Sequence, residues 1–138
     1  MGFRKGVILD GYVDEPTALG VPPYLSPYPR YVAGAFALAG VPYHYMTVDS
    51  WRHSPELQEA TRADSQTLLV VISGLTVPGH YRGGTPITLP ELTRVAESCA
   101  GRVLVGGPIR HGFTMTGGTT ALEAQGLAGG NIVVGDLD

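Results

Sequence analysis

Cysteine, lysine and long apolar runs are scarce in this chain, and each scarcity removes a class of explanation. A single cysteine, Cys99, among 138 residues excludes an internal disulfide and any multi-cysteine metal centre. Lys5 is the lone lysine among nine basic residues, set against twelve acidic ones. The clustered Lys/Arg footprint of a nucleic-acid binder is therefore missing. No stretch approaches the ~18 consecutive apolar residues that a membrane span needs, and Met1–Lys5 opens no signal peptide. A cytoplasmic location is the default expectation. What is present is the composition of a folded domain, 43% hydrophobic and 15% charged, rather than of a disordered tail. The length suits one domain with a full core and no need for disulfides.

Strand and helix signals alternate along the chain. Gly6–Asp10 reads as a buried strand. The proline-rich stretch Pro16–Pro29 reads as an extended loop, and Ser26 with Pro27 as the start of a helix. That helix carries Tyr31, Ala35 and Leu38 on one face and ends at Gly40, with Pro42 barring continuation. Tyr43–Val48 is a second strand, and Ser54-Pro55 opens a short polar helix to about Arg62. Thr67–Ile72 is hydrophobic throughout, which marks a central parallel strand. Thr88-Leu89-Pro90-Glu91 is a capping box opening a helix to Ala100, with Gly101 as its terminator. Arg102–Val105 is the fourth strand. A glycine-rich loop, Gly106–Gly118, leads to a helix over Thr119–Leu127, and Asn131–Asp138 holds the fifth strand.

This alternation predicts an α/β fold, a flavodoxin-like, doubly wound, five-stranded parallel sheet of order 2-1-3-4-5 in three layers. No helix signal follows the fifth strand, although sheets of this kind are covered on both faces. The expectation is one domain over residues 1–138, excised from the N-terminus of a longer protein.

Ligands of such sheets bind beyond the carboxyl ends of the strands. The residues expected there are Asp10, Gly11, Tyr12, Asp14 and Glu15 after the first strand, and Ser73, Gly74, Leu75 and Thr76 after the third. Gly106, Gly107 and Pro108 follow the fourth, and Gly135 and Asp136 the fifth. Phosphate chemistry fits poorly. The first loop holds three carboxylates instead of G-x-G-x-x-G, and no P-loop motif is present. Ser73 lacks the G-x-S-x-G setting of a nucleophile. The acidic cluster is similar to the pocket of response-regulator receivers. That family, however, has an aspartate after its third strand and a lysine after its fifth, where Ser73 and Asp136 stand. His44 and His53 read as packing or surface residues, and Tyr24, Tyr28 and Tyr31 as loop and helix packing or a partner-binding stripe. His80, His111 and Arg82 sit in loops at the ligand edge; solvated side chains explain them as well as acid–base or anion-binding roles do.

With Ser73-Gly74-Leu75 and Gly106-Gly107-Pro108 placed after successive strands, the chain resembles over its whole length the cobalamin-binding domain at the N-terminus of radical SAM proteins. The stretch from Asp10 to Tyr24 resembles the opening of an uncharacterised archaeal-type group of these. That family carries D-x-H-x-x-G, then S-x-L, then G-G. The resemblance implies that Ser73 and Leu75 line a pocket for the cofactor's nucleotide tail and that Gly106 and Gly107 let the tail approach the backbone. Tyr12 stands where the family has its cobalt-ligating histidine, and Glu15 where it has glycine. The implied cofactor-binding set is Asp10, Gly11, Tyr12, Ser73, Gly74, Leu75, Gly106, Gly107, Pro108, Gly135 and Asp136, with no catalytic and no metal-ligating residue. S-adenosylmethionine and the four-iron cluster would belong to the missing parent portion, since the C-x-x-x-C-x-x-C motif is not here.

Three functions follow. The first is a domain that binds cobalamin or a related small molecule for its own downstream catalytic domain, without catalysing alone. The second is a degenerate docking domain, packing on that catalytic domain through Pro22–Tyr31 and the last strand. The third is a small enzyme using Asp10, Asp14, Glu15 and His80 with a divalent ion. Neither nucleic acid nor membrane is an expected partner.

Overall fold

The structure, a computed structural model, describes residues 2–11, 28–72, 87–106 and 132–134. Its strands are β1 (Lys5–Asp10), β2 (Tyr43–Thr47), β3 (Thr67–Ile72), β4 (Arg102–Gly106) and β5 (Ile132–Val134). Its helices are α1 (Tyr28–Leu38), α2 (Val48–His53), α3 (Pro55–Ala60) and α4 (Leu89–Ser98). All strand pairs are parallel. The order across the sheet is β2-β1-β3-β4, with the short β5 against β4. The α/β class and the parallel sheet expected from the alternating signals are what the chain adopts. Ser26, Pro27, residues 119–127 and most of the expected last strand lie outside the described residues.

The continuous apolar runs of β1, β3 and β4 follow from burial on both faces. Val7, Leu9, Leu69, Val71, Val103 and Val105 share one core with Trp51 of α2 and with Leu92, Val95 and Ala96 of α4. Ile8, Val70 and Ile72, which point the other way by the period-two alternation of strands, pack with Val32 and Phe36 of α1. Helices thus lie on both faces, α1 on one and α2 and α4 on the other.

α1 departs from expectation in which stripe it buries. Val32 and Phe36 face the sheet, whereas the Tyr31, Ala35, Leu38 stripe points outward, with Tyr31 55% and Leu38 93% exposed. The helix is apolar on two sides, so periodicity alone did not choose between them. Its end is as read. Gly40 takes φ +69°, its N–H donates to Ala37 O, and the N–H of Val41 donates to Phe36 O, the paired bonds of a Schellman cap.

Several boundaries differ, β1 starting at Lys5 and β4 running on to Gly106 among them. Val48, read as strand, instead begins α2, because the Thr47 side chain caps the helix by accepting from the N–H of Ser50. Ser54 then breaks the chain between α2 and α3, its backbone held extended (φ −128°, ψ 110°) by the proline that follows. α4 stops at Ser98, not Ala100, with Cys99 already extended. Gly101 is needed for close approach rather than as a terminator, since a Cβ there would sit 2.3 Å from Thr67 O and 2.5 Å from Asp64 O.

An ion pair locks α2 to α4. Arg52 donates through Nε and Nη2 to both oxygens of Glu91 at 2.8 and 2.7 Å, and through Nη1 to Asp49 at 3.1 Å. Glu91 also completes the capping box by accepting from the N–H of Thr88 at 3.0 Å. The Arg52 hydrogen bonds, opposed by burial and aided by Thr88, hold the Glu91 carboxyl at about 2, down from 4.5. A depressed carboxyl stabilises the fold above its unfolded value. The gain is therefore complete above about pH 4.5 and drains away as pH falls toward about 2. With the Glu91 side chain 19% exposed, screening limits the gain to about 1–2 kcal/mol. Urea unfolding near neutral pH and at about pH 3 should show Glu91→Gln losing less stability on acidification than the parent, by roughly half that amount, since pH 3 lies partway between the unfolded and folded values. Parallel losses in the two proteins would refute the assignment.

Candidate functional site at the carboxyl edge

The strand registers build this edge. Asp10 pairs with Thr47 on one side and with Ile72 on the other, and Ile72 pairs with Gly106. Asp10 and Gly106 therefore end neighbouring rows of the same sheet edge, separated by β3 alone. The chain order reverses at β1, with β2 to one side of it and β3, β4 to the other, and such a reversal is where open α/β sheets form a crevice.

Asp10 is the one charged side chain among the buried residues described, at 7% exposure. The phenol of Tyr45 donates to its Oδ2 at 2.6 Å, the short distance of a bond to an ionised acceptor. Tyr45 itself stays 44% exposed on β2, so this pair links a buried carboxylate to the surface. Sequence reading singled out Asp10 and missed Tyr45. Sliding β2 against β1 would have found it, since Tyr45 opposes Ile8, two residues before Asp10 and on the same face.

Gly11 has a structural duty. Its N–H donates to Ile72 O at 2.7 Å and its carbonyl accepts from the N–H of Ile87 at 2.8 Å, which fastens the approach to α4 onto β1 and β3. A Cβ there would fall 2.3 Å from Ile72 O and 2.4 Å from Ile87 Cγ2. Gly106 is buried at the end of β4. The other residues predicted for this site, Tyr12, Ser73, Gly74, Leu75, Gly107, Pro108, Gly135 and Asp136, lie outside the described residues. So do Asp14, Glu15, His80, Arg82 and His111. Of the other histidines, His44 is exposed on β2 and His53 ends α2. Cys99 is buried, and burial pushes its thiol above the ordinary value. Among the described residues, no three His, Cys, Asp or Glu side chains gather as a metal site would require, and no helix is long and apolar enough to cross a membrane.

Two archaeal proteins are similar to this chain. One, an uncharacterised protein of Archaeoglobus fulgidus, is 46% identical over 105 residues, 76% of this chain and 19% of its own length. The other, an uncharacterised protein of Methanocaldococcus jannaschii, is 36% identical over 141 residues, all of this chain and 25% of its own length. No family model matches the chain, and no solved structure does. This chain spans a quarter or less of the length of the curated relatives it matches.

Proposed function

We propose that this chain is a flavodoxin-like, doubly wound, five-stranded domain that holds a small molecule across the carboxyl edge of its sheet. In this reading it is the N-terminal cobalamin-binding-like domain of a longer radical SAM protein. It binds and orients the cofactor in the cytoplasm and catalyses nothing alone. The observation that carries the reading is the convergence of Asp10 and Gly106 on one edge, either side of β3, at the reversal of strand order. Support also comes from the order of the motifs Ser73-Gly74-Leu75 and Gly106-Gly107-Pro108 along the chain.

The donor set suits a corrinoid held without a protein ligand on cobalt. Tyr12 stands in the histidine's place, and Asp10 is engaged by Tyr45. Gly106 ends β4 without a side chain, whereas Gly11 is covered by Ile87 and serves the fold. Bound cobalamin would supply methyl transfer to the downstream domain, and the protein's part is binding and orientation. The alternative is a docking domain that packs on that catalytic domain without cobalamin.

Titration of the purified chain with hydroxocobalamin, followed by visible absorption, should give a saturable change. Gly106→Leu, checked for folding by thermal melting, should weaken it at least tenfold, about 1.4 kcal/mol. No spectral change even at millimolar cofactor would remove cobalamin from the reading, and binding indifferent to Gly106→Leu would remove the edge.

A further inference from the structure

The amino edge of the sheet, opposite the edge already described, gathers the positive charge that is scarce elsewhere. The turns and first residues leading into β1, β2, β3 and β4 hold Arg4, Lys5, Arg62 and Arg102 against one acid, Asp64. The chain as a whole has a formal charge of −3. Residues 128–131, which precede β5, add no charge. Arg62 pairs with Glu59 at 3.6 Å, and Asp64 accepts from the Thr67 hydroxyl at 2.8 Å and the N–H of Gln66 at 2.9 Å. Arg4, Lys5 and Arg102 are exposed and form no ion pair among the described residues. None of the three lies in the last turn of a helix, where a cation would answer the helix dipole.

A cleft of about 660 Å³ opens between these strand ends. Arg102, Ser65 and Gln66 line it with polar side chains, Phe3 and Ala100 with apolar ones. Gly101 lines it with backbone alone, packed against the carbonyl oxygens of Asp64 and Thr67. Main-chain bonds hold the walls in place: the N–H of Arg4 donates to Gln66 O at 2.9 Å, and the N–H of Ala100 to Arg62 O at 2.7 Å. Lys5 pairs with Thr67 and Arg102 with Leu68, so the two cations stand on either side of β3, about 10 Å apart at their Cα atoms. A few polar groups set among apolar walls, in a volume of this size, are what a small-molecule site provides.

We infer that this cleft binds a small phosphate ester, its phosphate held by the Arg102 guanidinium with the Ser65 and Gln66 side chains and its organic body laid against Phe3. The planar N–H fork of an arginine matches phosphate oxygens. The further charges of Arg4 and Lys5 favour a dianion over a single carboxylate. The phosphate chemistry that the three carboxylates after β1 disfavour at the carboxyl edge thus has its cations at the other end of the sheet. The cleft is separate from the carboxyl edge and does not depend on what binds there.

The test is a titration of the 138-residue chain with phenyl phosphate at low salt, followed by amide NMR. Saturable shifts should be confined to Phe3, Gln66, Gly101, Arg102 and their neighbours. Arg102→Gln should weaken binding about tenfold, the loss of a bidentate charged contact. Arg30→Gln removes a positive charge from an exposed position of α1 and should leave affinity within about twofold. Benzoate, with the same ring and one charge, should bind more weakly. Absence of saturation up to about 10 mM phenyl phosphate overturns the inference. So does an equal loss in the two arginine variants, which would make the effect one of overall charge. Benzoate binding as tightly as phenyl phosphate would overturn the choice of phosphate. Thermal melts of both variants confirm that each is folded.

Discussion

Trp51→Ala should lower the unfolding free energy by about 4 kcal/mol, the range for emptying a buried indole site. Trp51 is 3% exposed and sits in the larger core beside the α4 residues Leu92 and Val95. It also has polar duties. Its Nε1 donates to Thr61 Oγ1 at 3.1 Å, and that hydroxyl donates onward to Gln58 O at 2.7 Å, which staples α2 across α3. Above the ring, the Arg94 guanidinium lies 5.0 Å from the centroid, a cation–π arrangement. Trp51→Phe keeps most of the packing but strands the Thr61 hydroxyl as donor only, and should cost about 1–2 kcal/mol. Urea unfolding followed by far-UV circular dichroism measures both. Since Trp51 is the sole tryptophan, its fluorescence reports the parent's transition without interference. A loss below about 1 kcal/mol for the alanine variant would mean that the indole is not the anchor described.

Gly11→Ala should cost about 3 kcal/mol, although nothing about its place in the sequence announces a structural role. The added methyl meets a backbone oxygen, Ile72 O, at 2.3 Å and the branched side chain of Ile87 at 2.4 Å. Ile87 is 1% exposed and has no room to retreat. The double variant Gly11→Ala/Ile87→Ala should not recover the lost stability. It relieves one clash, leaves the carbonyl in place and empties a core position. Chemical denaturation decides between this and a ligand-approach role. Were Gly11→Ala to keep the parent's midpoint and lose only cofactor affinity, the glycine would serve the ligand instead of the β1–β3–α4 junction.

Legibility followed the range of the forces involved. Thr67–Ile72 was read to the residue, because a central parallel strand needs apolar side chains on both faces and so shows an unbroken run. The Gly40 cap and the Thr88–Glu91 capping box were equally plain, each being a local hydrogen-bond device in a few consecutive residues. α2 was missed. Its cap, Thr47, is also the last residue of a strand, and its stability comes from Trp51 reaching Thr61 and Arg52 reaching Glu91, partners that periodicity cannot see.

At the carboxyl edge, Asp10 was legible as a strand end and Gly106 as the residue just after one, whereas the Tyr45 hydroxyl on Asp10 required the register of β2. The sequence by itself determined the alternation of strands and helices, the two-faced burial of β1, β3 and β4, and the scarcity of sulfur and of basic charge. Those are properties of neighbours in the chain and of composition. Only the tertiary structure decided which apolar stripe of α1 meets the sheet, that Gly11 is held by packing, and that Arg52 pairs with Glu91 across 39 positions. Such choices rest on contacts between residues far apart in the chain, whose free energies exist only once the elements have docked.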